Sequence, residues 1–105
     1  MTRKRLNWGA WKANVRAEIK RLNHSVRDTE HVFERLRRDD FVASHKVSIC
    51  WSAAHELRAR IQRAAHIRTL AGSRETRLQD KLLEASNAAQ EAVVQLEAAA
   101  RLLAE

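Results

Sequence analysis

Proline is absent from this 105-residue chain, and glycine occurs only as Gly9 and Gly72. Sheet-rich folds turn often, and tight turns draw on Gly, Pro, Asn and Asp. So few breakers argue against a sandwich, a barrel or a doubly wound sheet. Cysteine is scarce too: Cys50 stands alone, so no disulfide closes within the chain. A small secreted domain is usually stapled by several bridges, which points this chain to a reducing, cytoplasmic compartment. Long apolar runs are missing, and none approaches the ~20 residues that cross a bilayer. Met1 to Arg5 reads like the charged start of a signal peptide. Asn7 and Lys12 break the apolar run that should follow, so export is not supported.

What is present fits long helices. Hydrophobic residues make up 45% and charged residues 31%, too apolar for a disordered chain. Trp8, Trp11, Val15, Ile19, Leu22, Val26, Phe33 and Leu36 recur in steps of three and four, with Thr29 at the one missing position. A second stripe runs through Val47, Cys50, Ala54, Leu57, Ile61, Ala64 and Ala71. A third, the most regular, runs through Leu78, Leu82, Ala85, Ala89, Ala92, Leu96, Ala99 and Leu103. This is the periodicity of one buried helix face. Asp39 and Asp40 offer a cap to the second helix, Gly72 a stop, and Ser73 a cap to the third. The spacing predicts helices over 7–37, 41–71 and 74–104, each about 45 Å long. Short connections make neighbours antiparallel. The expected fold is an all-α, up-down-up three-helix bundle forming a single domain over 1–105. Alanine fills much of the third seam and buries little area, so a second copy is one way to complete the core.

Charge is abundant and uneven. Twenty Lys and Arg stand against thirteen Asp and Glu, a net +7. Residues 1–38 hold eleven basic and four acidic side chains, 39–72 five and three, and 73–105 four and six. The first third therefore accounts for the whole excess, and such segregation exceeds what solubility requires. At ~100° per residue, Arg5, Lys12, Arg16, Lys20, Arg27 and Arg38 share a sector of about 80° beside the apolar stripe. From Arg5 to Arg27 it spans about 33 Å, enough to follow about five phosphates without reading sequence. With Arg3 and Lys4 in the leader, these are the expected nucleic-acid contacts, to DNA or RNA. Trp8 and Trp11 lie on the apolar stripe, so core packing is expected of them before base stacking. Trp51 flanks the second seam and is also expected in the core. A Trp-bearing basic helix can lie on an anionic membrane, but the long seams that follow favour a bundle.

Catalytic and metal motifs are not found. His24 and Asp28 have helical ligand spacing without a second pair. His55-Glu56 starts like a zinc-protease motif but lacks a His at position 59. Arg60…His66 and Arg38…His45 meet the loose Arg-then-His spacing of HEPN-type helical ribonucleases, which a chain rich in both residues meets by chance. Cys50 sits on a seam as a small hydrophobe. No enzyme, metal or cofactor is implied. Leu83 and Val94 on the third helix, and Ile67 and Leu70 on the second, fall off the seams and are the expected surface for other protein subunits or for self-association.

In length, helicity and charge the chain is similar to the small helical subunits of multi-subunit CRISPR effector complexes, short basic bundles that sit along a guide–target duplex or a displaced strand. No diagnostic residue carries that similarity. It implies a non-enzymatic, nucleic-acid-backbone-binding subunit of a nucleoprotein assembly. The alternatives are a protein-interaction module, such as a phage-encoded inhibitor or assembly adaptor, and, last, a HEPN-like ribonuclease.

Overall fold

The computed structural model describes residues 7–38, 42–71 and 76–105. Three helices fill them: α1 Trp8–Arg38, α2 Ala43–Ala71 and α3 Thr76–Ala104. Among the described residues 97% are helical and no strand occurs. Each boundary lies within two residues of its expected place.

Local chemistry explains the start of α1. Asn7 is its cap: the Oδ1 accepts the Ala10 N–H at 3.1 Å, and the carbonyl accepts the Trp11 N–H at 2.8 Å. The first bonds of α2 go from His45 and Lys46 to the Val42 carbonyl. Asp39, Asp40, Gly72 and Ser73, expected as caps and stop, lie outside the described residues.

The helices run up, down and up. The start of α1 meets the end of α2, where the buried Trp11 indole N–H donates to the Ile67 carbonyl at 3.0 Å. Trp8 packs edge-on against Trp11, with ring centroids 5.6 Å apart. At the far end Leu36 of α1, Cys50 of α2 and Ala100 of α3 form a small buried cluster. The main core lies between, built on Val15, Leu22, Leu57, Leu82, Val93 and Leu96. The molecule measures 57 × 25 × 17 Å.

Bulk is unequally shared. On α1 the buried hydrophobic side chains are Trp11, Val15, Leu22 and Leu36. On α3 the buried set includes Ala85, Ala89, Ala92 and Ala100. Small side chains let axes approach, and α3 packs more extensively against α2 than against α1. Thr29 is buried on the α1 stripe and is satisfied, its Oγ1 donating to the Ser25 carbonyl at 3.0 Å.

Two sequence expectations are corrected. Ile67 is not a surface residue: it is buried in the main core, with the Trp11 bond on its carbonyl. The start of α1 packs over the end of α2 and covers it, a contact between helices that spacing along α2 alone does not report. Trp51 is not core: it is 41% exposed. Cys50 and Ala54 occupy the buried positions beside it, and Trp51, about 100° round the helix from Cys50, turns to the open side lined by Ser52, His55, Glu56 and Arg58.

Candidate nucleic-acid interface

The basic sector of α1 is exposed at three of its four described side chains. Arg16, Lys20 and Arg27 are exposed and Lys12 is half-buried. Arg3, Lys4 and Arg5 lie outside the described residues, and of Arg38 the structure describes only the backbone that ends α1.

Folding adds a second helix to this sector. Lys20, Arg21, Asn23, His24 and Arg27 of α1 and Arg60 of α2 line an open groove of about 500 Å³. Steps of three, four and seven bring the α1 residues together. Arg60 joins because α2 runs antiparallel beside them. Four permanent cations thus line one concavity, and no carboxylate is among the lining residues. Guanidinium groups in such a setting suit phosphate oxygens, which they bind through forked N–H donors. Asn23 adds an amide donor. His24 is turned toward Asp28, with Nε2 3.5 Å from its Oδ2.

Behind the groove lies a residue that the sequence did not single out. Glu18 is fully buried on α1. Its Oε2 accepts the Arg21 Nη1 donor at 3.2 Å and stands 3.6 Å from Arg63 Nε on α2. Its Oε1 has no hydrogen-bond partner in the protein. One carboxylate therefore tethers a groove-lining arginine and an arginine of the neighbouring helix. Both are well exposed, so water screens the pairs and their contribution to stability is modest. A signal for Glu18 was present, an acid between Val15 and Leu22 on the apolar stripe with Arg three residues on. Arg60 had no comparable signal, since its proximity arises only when α2 docks.

The remaining ion pairs lie elsewhere. Glu97 of α3 pairs with Arg58 of α2 and, at 3.9 Å, with Arg101 of its own helix. His31 Nδ1 is 3.9 Å from Glu34 Oε2. The Arg60…His66 pair does not share this groove. Arg60 faces the groove, whereas His66 is exposed without lining it. Arg38 ends α1 and His45 opens α2. Among the described residues no group of three or more His, Cys, Asp or Glu is placed to hold a metal ion. Cys50 is buried, and burial pushes its thiol up from the ordinary value, away from the reactive thiolate. No described helix is long and apolar enough to cross a membrane.

Of the apolar residues expected at a partner surface, Leu70, Leu83 and Val94 are exposed, at 52%, 38% and 58%. Trp11 spends its indole N–H inside the core and offers no free stacking face. No family model matches this chain, and neither a curated protein nor a solved structure does.

Proposed function

We propose that this chain is a non-enzymatic, nucleic-acid-backbone-binding helical bundle that serves as a small subunit of a larger nucleoprotein assembly. The observation that carries the reading is the groove in which Lys20, Arg21 and Arg27 of α1 meet Arg60 of α2 with no lining carboxylate. Cations gathered from two helices serve a polyanion better than a solvated charged face would. Such contacts follow the backbone of DNA or RNA and release counterions, so affinity is sequence-tolerant and falls with salt. The exposed Leu70, Leu83 and Val94 are the surface for neighbouring subunits, in keeping with the similarity to small CRISPR effector subunits.

The test is fluorescence anisotropy with a labelled 20-nucleotide single strand and a duplex of equal length, at several salt concentrations. Wild-type protein should bind at low salt with little sequence preference. Lys20→Gln/Arg27→Gln/Arg60→Gln should lose at least tenfold while remaining helical. Absence of wild-type binding at 50 mM salt, or an unchanged affinity in the triple variant, would refute the reading.

A further inference from the structure

Helices α1 and α3 each carry an exposed charged ladder, and the two are of opposite sign. Arg16, Lys20 and Arg27 are exposed on α1, and Asp80, Glu84 and Glu91 are exposed on α3. Both sets have the spacing i, i+4, i+11, and each basic residue stands 64 positions before its acidic counterpart. The helices lie side by side at the same offset. Leu36 and Ala100 share a buried cluster, and Ile19 and Asn23 line a shallow trough with Lys81, Glu84, Ala85 and Ala88. Since α1 and α3 run in the same direction, the rungs of the two ladders stand at equal heights. None of the six side chains enters an ion pair within the described residues.

We propose that this face binds a second copy of the chain, in a dimer whose two-fold axis runs parallel to the helices. Rotation about such an axis keeps every residue at its height. It lays α1 of one copy over α3 of the other, with Arg16 opposite Asp80, Lys20 opposite Glu84 and Arg27 opposite Glu91, each pair made twice. A self-complementary patch is what a two-fold interface requires. The trough between α1 and α3 has Ile19, Ala85 and Ala88 along it with Asn23, Lys81 and Glu84 at its edges, so apolar side chains lie inside a polar rim, the usual anatomy of an interface. Charge decides the occupant. A nucleic acid or a uniformly acidic protein matches the α1 ladder and is repelled by the α3 ladder, whereas a second copy satisfies both.

The proposal goes beyond the nucleic-acid reading and makes a regulatory link to it. Lys20 and Arg27 belong to both the dimer ladder and the basic groove. Self-association and polyanion binding therefore compete for the same side chains.

Sedimentation velocity of the full chain, without nucleic acid, tests the dimer separately from the nucleic-acid reading. Wild type should dimerise at 50 mM salt and dissociate at least tenfold more readily at 500 mM, because the rungs are screened. Asp80→Lys/Glu84→Lys/Glu91→Lys and Arg16→Glu/Lys20→Glu/Arg27→Glu should each be monomeric alone. Mixed in equal amounts they should form a heterodimer, since every rung then meets its opposite. A wild type that stays monomeric at millimolar concentration, a dimer that survives either reversal, or folded variants that fail to combine would overturn the proposal. If a reversed variant loses its helicity, the wild-type salt series decides: a dimer indifferent to salt is not held by these ladders.

Discussion

Helices α1 and α3 lie side by side, run in the same direction and have 31 and 29 residues, yet they use their surfaces in opposite ways. Helix α1 buries bulky side chains and exposes cations. Among the described residues, all the exposed large hydrophobics, Val42, Trp51, Leu70, Leu83, Val94 and Leu102, lie outside it. Helix α3 buries alanines among its leucines and exposes acids together with Leu83, Val94 and Leu102. One helix is anchored by large buried area and the other by close approach. Anchoring by bulk leaves the outer face of α1 free to carry like charges close together, because the repulsion among them is small against the area buried beneath. The proposed polyanion binding falls to α1 with Arg60 of α2, and the proposed subunit contacts to the exposed apolar residues of α2 and α3.

The contrast is broken most severely from inside. Leu22 is fully buried on α1 and Ala89 is fully buried on α3. Leu22→Ala removes bulk that nothing else supplies and should cost about 2–5 kcal/mol. Ala89→Leu inserts bulk where two helices approach closely and should cost about 1–3 kcal/mol through overpacking. Urea unfolding followed by circular dichroism reads both. A tolerant Ala89→Leu would mean that the α3 seam is loose and that close approach is not what holds it.

A smaller effect is expected when the charge contrast is erased. For about five engaged phosphates, log K should fall with log salt at a slope near −3.5 to −4.5. Changing Lys12, Arg16, Lys20 and Arg27 together to Gln should remove most of that slope and leave the helicity intact. Changing Asp80, Glu84 and Glu91 to Gln should act in the opposite direction and tighten binding, since exposed acids on α3 weaken the attraction of the molecule for a polyanion. Equal responses to the two sets of changes would show that net charge governs the affinity and the placement of charge does not.

How far the sequence could be read depends on what kind of information each feature needs. The helices were legible because nothing interrupts them: Gly9 sits in the first turn of α1, and no proline occurs. The α1 seam was legible because its side chains are large. Ile67 was misplaced because its burial comes from Trp11 of α1, which docks over the end of α2, and not from the spacing within α2. Trp51 was misplaced because its hydrophobicity was weighed above its position, about 100° round the helix from the buried Cys50. Lys20, Asn23 and Arg27 of the basic groove were visible in the α1 spacing, whereas Arg21, about 100° round the helix from Lys20, was not. Arg60 was not, since its role comes from the docking of α2. Glu18 was passed over because an acid on an amphipathic helix is by default assigned to water, and its tether to Arg63 exists only in three dimensions.

Glu18 gives a more modest test of the same contrast, since it is the buried carboxylate beneath the cationic helix. Its arginine partners reach water, with Arg21 and Arg63 side chains 52% and 68% exposed. They therefore lose little when the carboxylate is removed, whereas the carboxylate itself is costly to bury. Glu18→Met should keep or raise stability, by about 1 kcal/mol, as replacements of buried ion pairs often do. It should also free Arg21 in the groove and tighten oligonucleotide binding. A Glu18→Met protein that is destabilised by several kcal/mol would show that the tether between α1 and α2, rather than apolar packing, sets the relative position of these helices.

The smallest effect on folding is expected at Leu83 and Val94. Both are exposed on α3, Val94 at 58%, and neither belongs to a buried cluster. Surface substitutions of this kind usually change stability by no more than about 0.5 kcal/mol. Leu83→Gln/Val94→Gln should therefore leave the urea midpoint nearly unchanged. Ile67→Gln, once grouped with them by sequence spacing, should cost much more, because it buries an amide beside the Trp11 indole. In the native assembly the order should reverse: the double α3 variant should co-purify less of its protein neighbours at equal expression. If that variant neither unfolds the chain nor loses neighbours, the apolar side chains of α3 are ordinary surface. The contrast between α1 and α3 then rests on charge alone, and Leu70 becomes the next residue to test.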